Sequence, residues 1–115
     1  MIRKLMTFCA TCLLAGAMPV HAEIRILATT ADWGALATEL GGGKVNVYTA
    51  TSALQDVHQV NAKPSLVARA RTADLVVANG ADLEVGWLPV LLSESGNPKI
   101  RPGTPGYFEA TAYVK

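Results

Sequence analysis

The residues LQDVHQVNAKPS, from Leu54 to Ser65, set an imidazole between a carboxylate and a hydroxyl. Neutral imidazole is the commonest protein metal ligand and also the commonest general base, so His58 defines two chemistries. Asp56, two residues earlier, can orient or charge-balance a ligating ring. One imidazole is not a metal site, because zinc takes about four donors and manganese or iron takes further oxygens. Asp32, Asp82 and Glu84 are carboxylates that the topology below brings towards the same edge, although stabilising helix starts explains each equally well. Ser52 and Ser65 flank His58, the arrangement from which a hydrolase draws its nucleophile. No G-x-S-x-G elbow occurs, however, and Ser65 stands beside Pro64, where a hydroxyl ordinarily helps to begin a helix. The plainest alternative is a surface-loop histidine whose ring caps a turn.

Two other motifs lose their chemistry in context. GGGK at residues 41–44 leaves a helix and enters a strand, the reverse of a phosphate loop, and position 38 is threonine where that motif needs glycine. Glycines there are expected to end the helix. Cys9-x-x-Cys12 lies within MIRKLMTFCATCLLAGAMPVHA, which has Arg3 and Lys4 ahead of an apolar stretch and small residues at Val20 and Ala22. That pattern predicts a secretory signal peptide over residues 1–22, cleaved after Ala22. Its apolar run falls short of the roughly 20 residues a membrane span needs. Cleavage would leave 93 residues with no cysteine, hence no disulfide framework, and His58 as the remaining histidine. Of 10 basic residues two leave with the leader, so eight face nine acidic ones. A net charge near −1 supplies no footprint for nucleic acid or an anionic membrane surface. A segment this short forms one domain at most, residues 23–115, and buries only about 60% of its unfolded surface.

Hydrophobic periodicity supplies the elements that must carry His58. EIRILATT reads as a short buried strand. ADWGALATELGGG places Trp33, Leu36, Ala37 and Leu40 on one helical stripe, with Thr30 as cap and Gly41 to Gly43 as terminator. KVNVYTAT alternates as a second strand. Pro64 marks the first position of a helix with Leu66, Val67 and Ala70 on one face. DLVVANG is a continuous apolar run closed by Asn79-Gly80, as expected of a strand covered on both sides. ADLEVGWLPVLLSESG places Leu83, Trp87, Leu88, Leu91 and Leu92 on a further helical stripe, with Pro89 kinking or restarting it. The Pro- and Gly-rich tail holds room for one more short strand near Ile100. The alternation predicts an α/β fold of βαβ units on a parallel sheet. Ligands in such folds gather outside the carboxyl ends of the strands, where the loops at Thr29 to Asp32, at His58 and at Asn79 to Asp82 converge.

The stretch QDVHQVNAKPSLVARARTADLVVANGADLEVGWLPVLL resembles the first-lobe signature of the metal-binding solute receptors of bacterial ABC importers for zinc and manganese. That signature runs from a histidine in an Asp-Pro-His-like loop, through a Pro-Ser helix start and an Ala-Asp-Leu strand, to a Gly followed by Leu-Glu and Trp-Leu. The similarity extends from about Ile24 to about Tyr107. It implies a two-lobed α/β receptor of which this chain supplies the leader and most of the first lobe, with His58 as the first metal ligand. Two positions depart from the pattern: Val57 stands where proline is usual, and Asn61 where an acidic residue is common. Members of the family are nearly three times as long and draw their other ligands from segments outside this sequence.

The resemblance therefore implies a monomeric periplasmic receptor, not an enzyme, whose partners are a divalent ion (Zn2+ or Mn2+, as cargo) and a membrane permease. With one ligand, this lobe alone is expected to hold zinc weakly. Two other readings stay open at this stage: an exported interaction module or receptor relic that binds no metal, and an exported enzyme using His58 as base.

Overall fold

The computed structural model describes residues 22–115 together with Gly16; the rest of the expected leader, including Cys9 and Cys12, lies outside the described residues. Four strands form one sheet: β1 (Ile24–Ala28), β2 (Val45–Thr49), β3 (Leu75–Ala78) and β4 (Tyr107–Glu109), in the order β2-β1-β3-β4. Every pairing is parallel, with Ile24 opposite Val45, Ile26 opposite Leu75, and Val76 opposite Tyr107. Parallel neighbours need long crossovers, and helices supply them: α1 (Ala31–Gly41), α2 (Pro64–Thr72) and α3 (Leu88–Ser95). The expected α/β fold with a parallel sheet is what the chain adopts.

Local chemistry explains the helix boundaries. The Thr30 hydroxyl accepts a hydrogen bond from the Trp33 amide at 3.5 Å, capping α1, and Gly42 ends that helix at a φ of 53°. Pro64 occupies the first turn of α2, where its missing N–H has no partner to lose. The cap position there is Lys63 and makes no side-chain bond, so Ser65 does not begin the helix through its hydroxyl as expected. Asn97 closes the other end of α2 from a distance, donating to the carbonyls of Ala70 (3.0 Å) and Ala73 (2.7 Å).

Two expectations are corrected. Residues 81–87 form successive turns rather than helix, and α3 begins only at Leu88 with Pro89 in its first turn. The left-handed backbone of Ala81 (φ 53°) and Asp82 (φ 63°) breaks any earlier helix, so Pro89 starts the element instead of kinking it. Ile100 lies in a 3-10 turn (Pro98–Ile100), fully buried, and the last strand falls at Tyr107–Glu109. Its apolar character reports a core contact, and the neighbouring prolines favour a turn over a strand.

The two faces of the sheet are covered unequally. Leu27, Val76 and Ala78 point into a core closed by α2 and α3, where Leu66, Ala70, Leu88 and Leu91 are buried. Each large side chain there contributes about 1.5–3 kcal/mol by leaving water. On the opposite face α1 packs over β1 and β2, while Leu36 stays 43% and Leu40 79% exposed. An apolar groove of about 380 Å3 runs from α1 past Ile26 and Val77 to Phe108. A helix about 10 Å across cannot span four strands spaced about 4.8 Å apart, so one helix covers part of a face that two helices cover on the other side.

Candidate metal-ligand site

Strand β1 ends at Ala28, β2 at Thr49 and β3 at Ala78, and the three loops that follow meet at one edge of the sheet. Asp32, Thr51, Gln55, Val57, Asn79 and Leu83 are among the residues lining a depression of about 390 Å3 there. Short hydrogen bonds hold the loops in mutual register. The Thr51 hydroxyl donates to the Thr29 carbonyl at 2.7 Å, and the Trp33 indole N–H to the Asn79 side-chain oxygen at 3.2 Å.

His58 belongs to the loop between β2 and α2. The Gln59 amide donates to the Asp56 carbonyl at 3.2 Å, which makes residues 56–59 a β-turn with Val57 and His58 at its centre. The Asp56 carboxylate accepts the His58 backbone N–H at 2.9 Å, and the same oxygen lies 2.9 Å from His58 Nδ1. Asp at the first position of such a turn is favoured because its side chain mimics the backbone two residues on. The His58 backbone N–H, followed by its ring, holds the Asp56 carboxyl below the usual carboxylate range. Both side chains are exposed, 66% for His58 and 59% for Asp56. The ring thus has Nδ1 engaged by Asp56, while Nε2 has no hydrogen-bond partner among the described residues. Its partner is a carboxylate and not a serine, which leaves the hydrolase arrangement without its central contact.

The other carboxylates separate. Asp32 lies in the first turn of α1 and lines the depression. Asp82 is exposed on a different stretch of surface, beside Gly80 and Pro89. Glu84 is only 4% exposed and wholly engaged: its carboxylate accepts the Thr29 hydroxyl at 2.6 Å, the Asn79 amide at 2.7 Å and the Gly80 amide at 3.0 Å. It joins the ends of β1 and β3, and both of its oxygens are engaged in doing so. Among the described residues no group of three His, Cys, Asp or Glu side chains is placed to hold an ion together. His58 therefore stands as a solitary candidate donor, with Asp56 behind it.

Sequence reasoning named Thr29, Glu84 and Trp87 but not the contacts by which they brace this edge. Thr29 and Glu84 are 55 positions apart, and Trp87, 3% exposed, donates its indole N–H to the Val57 carbonyl at 2.6 Å across 30 positions. Such pairs have no local spacing by which to recognise them. The Asn79-Gly80 dipeptide was the one visible signal, and it marked a turn without naming its partner.

The geometry defines a class first: an α/β lobe offering an exposed imidazole on a braced loop at the carboxyl edge of a parallel sheet. Residues 26–110 match the family described as zinc-uptake complex component A, periplasmic, and the chain belongs to that family. Among solved structures it is similar to a periplasmic metal binding protein from Candidatus Liberibacter asiaticus. The identity is 19%, with 81% of this chain and 33% of that one covered at a TM-score of 0.64. The Mn-bound form of that protein matches at 19% identity and a TM-score of 0.65, covering 81% of this chain and 32% of that one. The Zn(II)-bound ZnuA-like domain of Streptococcus pneumoniae AdcA matches at 22% identity and a TM-score of 0.57, covering 70% of this chain and 30% of that one. The chain thus spans about a third of the length of these relatives. No curated protein matches it by sequence search.

Proposed function

We propose that this chain forms the first lobe of a periplasmic receptor that captures a divalent transition metal, zinc or manganese, and delivers it to the permease of an ABC importer. His58 serves as the ligand that this lobe contributes. The observation that carries the reading is the coincidence of the family match over residues 26–110 with an exposed imidazole, backed by Asp56, at the edge where α/β lobes bind ligands. A carboxylate behind a ligating imidazole fixes its tautomer and raises its basicity. The predicted signal peptide supports a periplasmic location, and the manganese- and zinc-bound neighbours support either ion as cargo. The lobe acts by binding and presentation, without bond-making chemistry.

A single imidazole does not offset the dehydration of a divalent ion, so the chain by itself should bind zinc no more tightly than about micromolar. Isothermal titration of the purified chain checks this, and one-to-one binding below a micromolar would show that the described lobe holds further donors. In a complete two-lobed receptor containing this lobe, His58→Ala should weaken zinc binding at least about tenfold, as loss of a donor or its supporting contact does. Unchanged affinity in that variant removes His58 from the ligand set.

A further inference from the structure

The His58 turn makes few bonds of its own, yet one hydrogen bond ties it to the buried core. Trp87 is 3% exposed and belongs to the core formed with Leu66, Leu88 and Leu91. Its indole N–H meets the Val57 carbonyl at 2.6 Å, one residue before His58. The preceding residue continues the contact: a Cβ added at Gly86 would lie 3.3 Å from the His58 carbonyl oxygen, so the backbone at 86–87 runs directly against the turn. Val57, Val60 and Ala62 rest on the same core.

Trp87 is in turn held firmly. Its amide and that of Leu88 both donate to the Glu84 carbonyl, at 3.2 and 2.9 Å, and the Glu84 carboxylate binds Thr29, Asn79 and Gly80. A continuous path of contacts therefore runs from the ends of β1 and β3 through Glu84 and Trp87 to the carbonyl beside His58. The turn needs that support, because Val57 occupies its second position, where proline would preset the backbone.

We propose that Trp87 is the positioning residue for His58, its indole fixing where the turn stands over the strand ends while Asp56 selects the nitrogen the ring presents. This rests on the reading of His58 as a metal ligand. The inward anchor supplies the rigidity that Val57 does not. Proline at position 57 and the indole N–H at position 87 are then alternative ways of ordering the same turn.

The test replaces Trp87 by phenylalanine and, to keep the ring shape while deleting only the N–H, by benzothienylalanine, each with and without Val57→Pro. In the metal-free chain, hydrogen exchange of the His58 and Gln59 amides should quicken about fivefold to tenfold when the N–H is lost, with Leu91 and Val76 unaffected. Imidazole nitrogen spectra of the neutral ring, recorded above the end of its own titration, should move from a dominant Nδ1–H form towards a mixture. Val57→Pro should restore both signals, which a loss of general packing would not allow. Unchanged exchange and tautomer in the benzothienylalanine protein, or no recovery with proline, would overturn the assignment. In a complete two-lobed receptor, Trp87→Phe should weaken zinc binding several-fold and Val57→Pro should recover it. Should His58→Ala leave zinc affinity intact there, the ligand reading fails, while the exchange experiment still decides whether Trp87 orders the turn.

Discussion

Two loops at the carboxyl edge of the sheet each carry an acidic residue, and the two acids do opposite work. After β3, Glu84 is buried and accepts three hydrogen bonds that tie Thr29, Asn79 and Gly80 into one rigid corner, in which Ala81 and Asp82 are held in left-handed backbone. After β2, Asp56 is exposed and spends its oxygen on the residue two positions away. A buried carboxylate must be satisfied by the fold or it destabilises the fold; an exposed one is free to serve its neighbour. The candidate ligand therefore sits on the softer loop, and the softer loop leans through Val57 and Trp87 on the harder one. Strain and burial are concentrated after β3, and exposure is left after β2, at the loop that carries the proposed ligand.

The sharpest way to break this contrast is to remove the inner carboxylate. Glu84→Ala should cost about 3 kcal/mol or more, because three donors lose a buried partner at once, and Glu84→Gln should cost less but remain above about 1 kcal/mol. Urea unfolding reads both; a loss as small as that of Asp56→Ala would show that the two loops do not differ as described. A smaller effect of opposite sign is expected at Val57. The position is the second of a β-turn, and its N–H serves no acceptor among the described residues. Val57→Pro should stabilise the chain by about 0.4–1 kcal/mol by restricting the unfolded state, seen as a higher midpoint in thermal unfolding.

The smallest effect concerns protons on the outer acid. The His58 backbone N–H lowers the folded-state pKa of Asp56 below its ordinary value of 3.8. Its contribution to stability is therefore present above that value and fades as pH falls through the lower folded one. Carboxyl-carbon NMR should find Asp56 titrating below an ordinary aspartate, as Asp74 also should. The Arg25 backbone and guanidinium N–H groups, with Lys99, bring Asp74 to about 2. An unshifted Asp56 would mean that the turn opens in solution and that the outer loop is looser than the geometry indicates.

Much of this architecture is written locally. The alternation of Ile, Val and Leu, the Thr30 cap, Pro64 at a helix start and the glycines after Leu40 each act within a few residues, so each was legible in the chain and each holds. The Asp56-to-His58 pair was legible for the same reason. The errors fall where distant residues compete with local preference. The 81–96 stripe is apolar because it packs, not because it is one helix: residues 81–87 keep the contacts of Trp87 while bending around Glu84. A short strand was expected near Ile100, which instead is a core plug in a turn. The stripe on α1 was read correctly, yet how much of it is covered depends on what else lies on that sheet face.

The order of residues was sufficient to specify a parallel α/β fold and to single out one imidazole as a candidate at the carboxyl edge of its sheet, because helix caps, turns and side-chain period are short-range properties of the polymer. Which acid turns inward, which indole reaches the His58 turn, and how three loops register against one another were decided by folding. Those contacts join positions 30 and 55 apart, and only the packed core sets their distance and excludes the water that would otherwise compete for each bond.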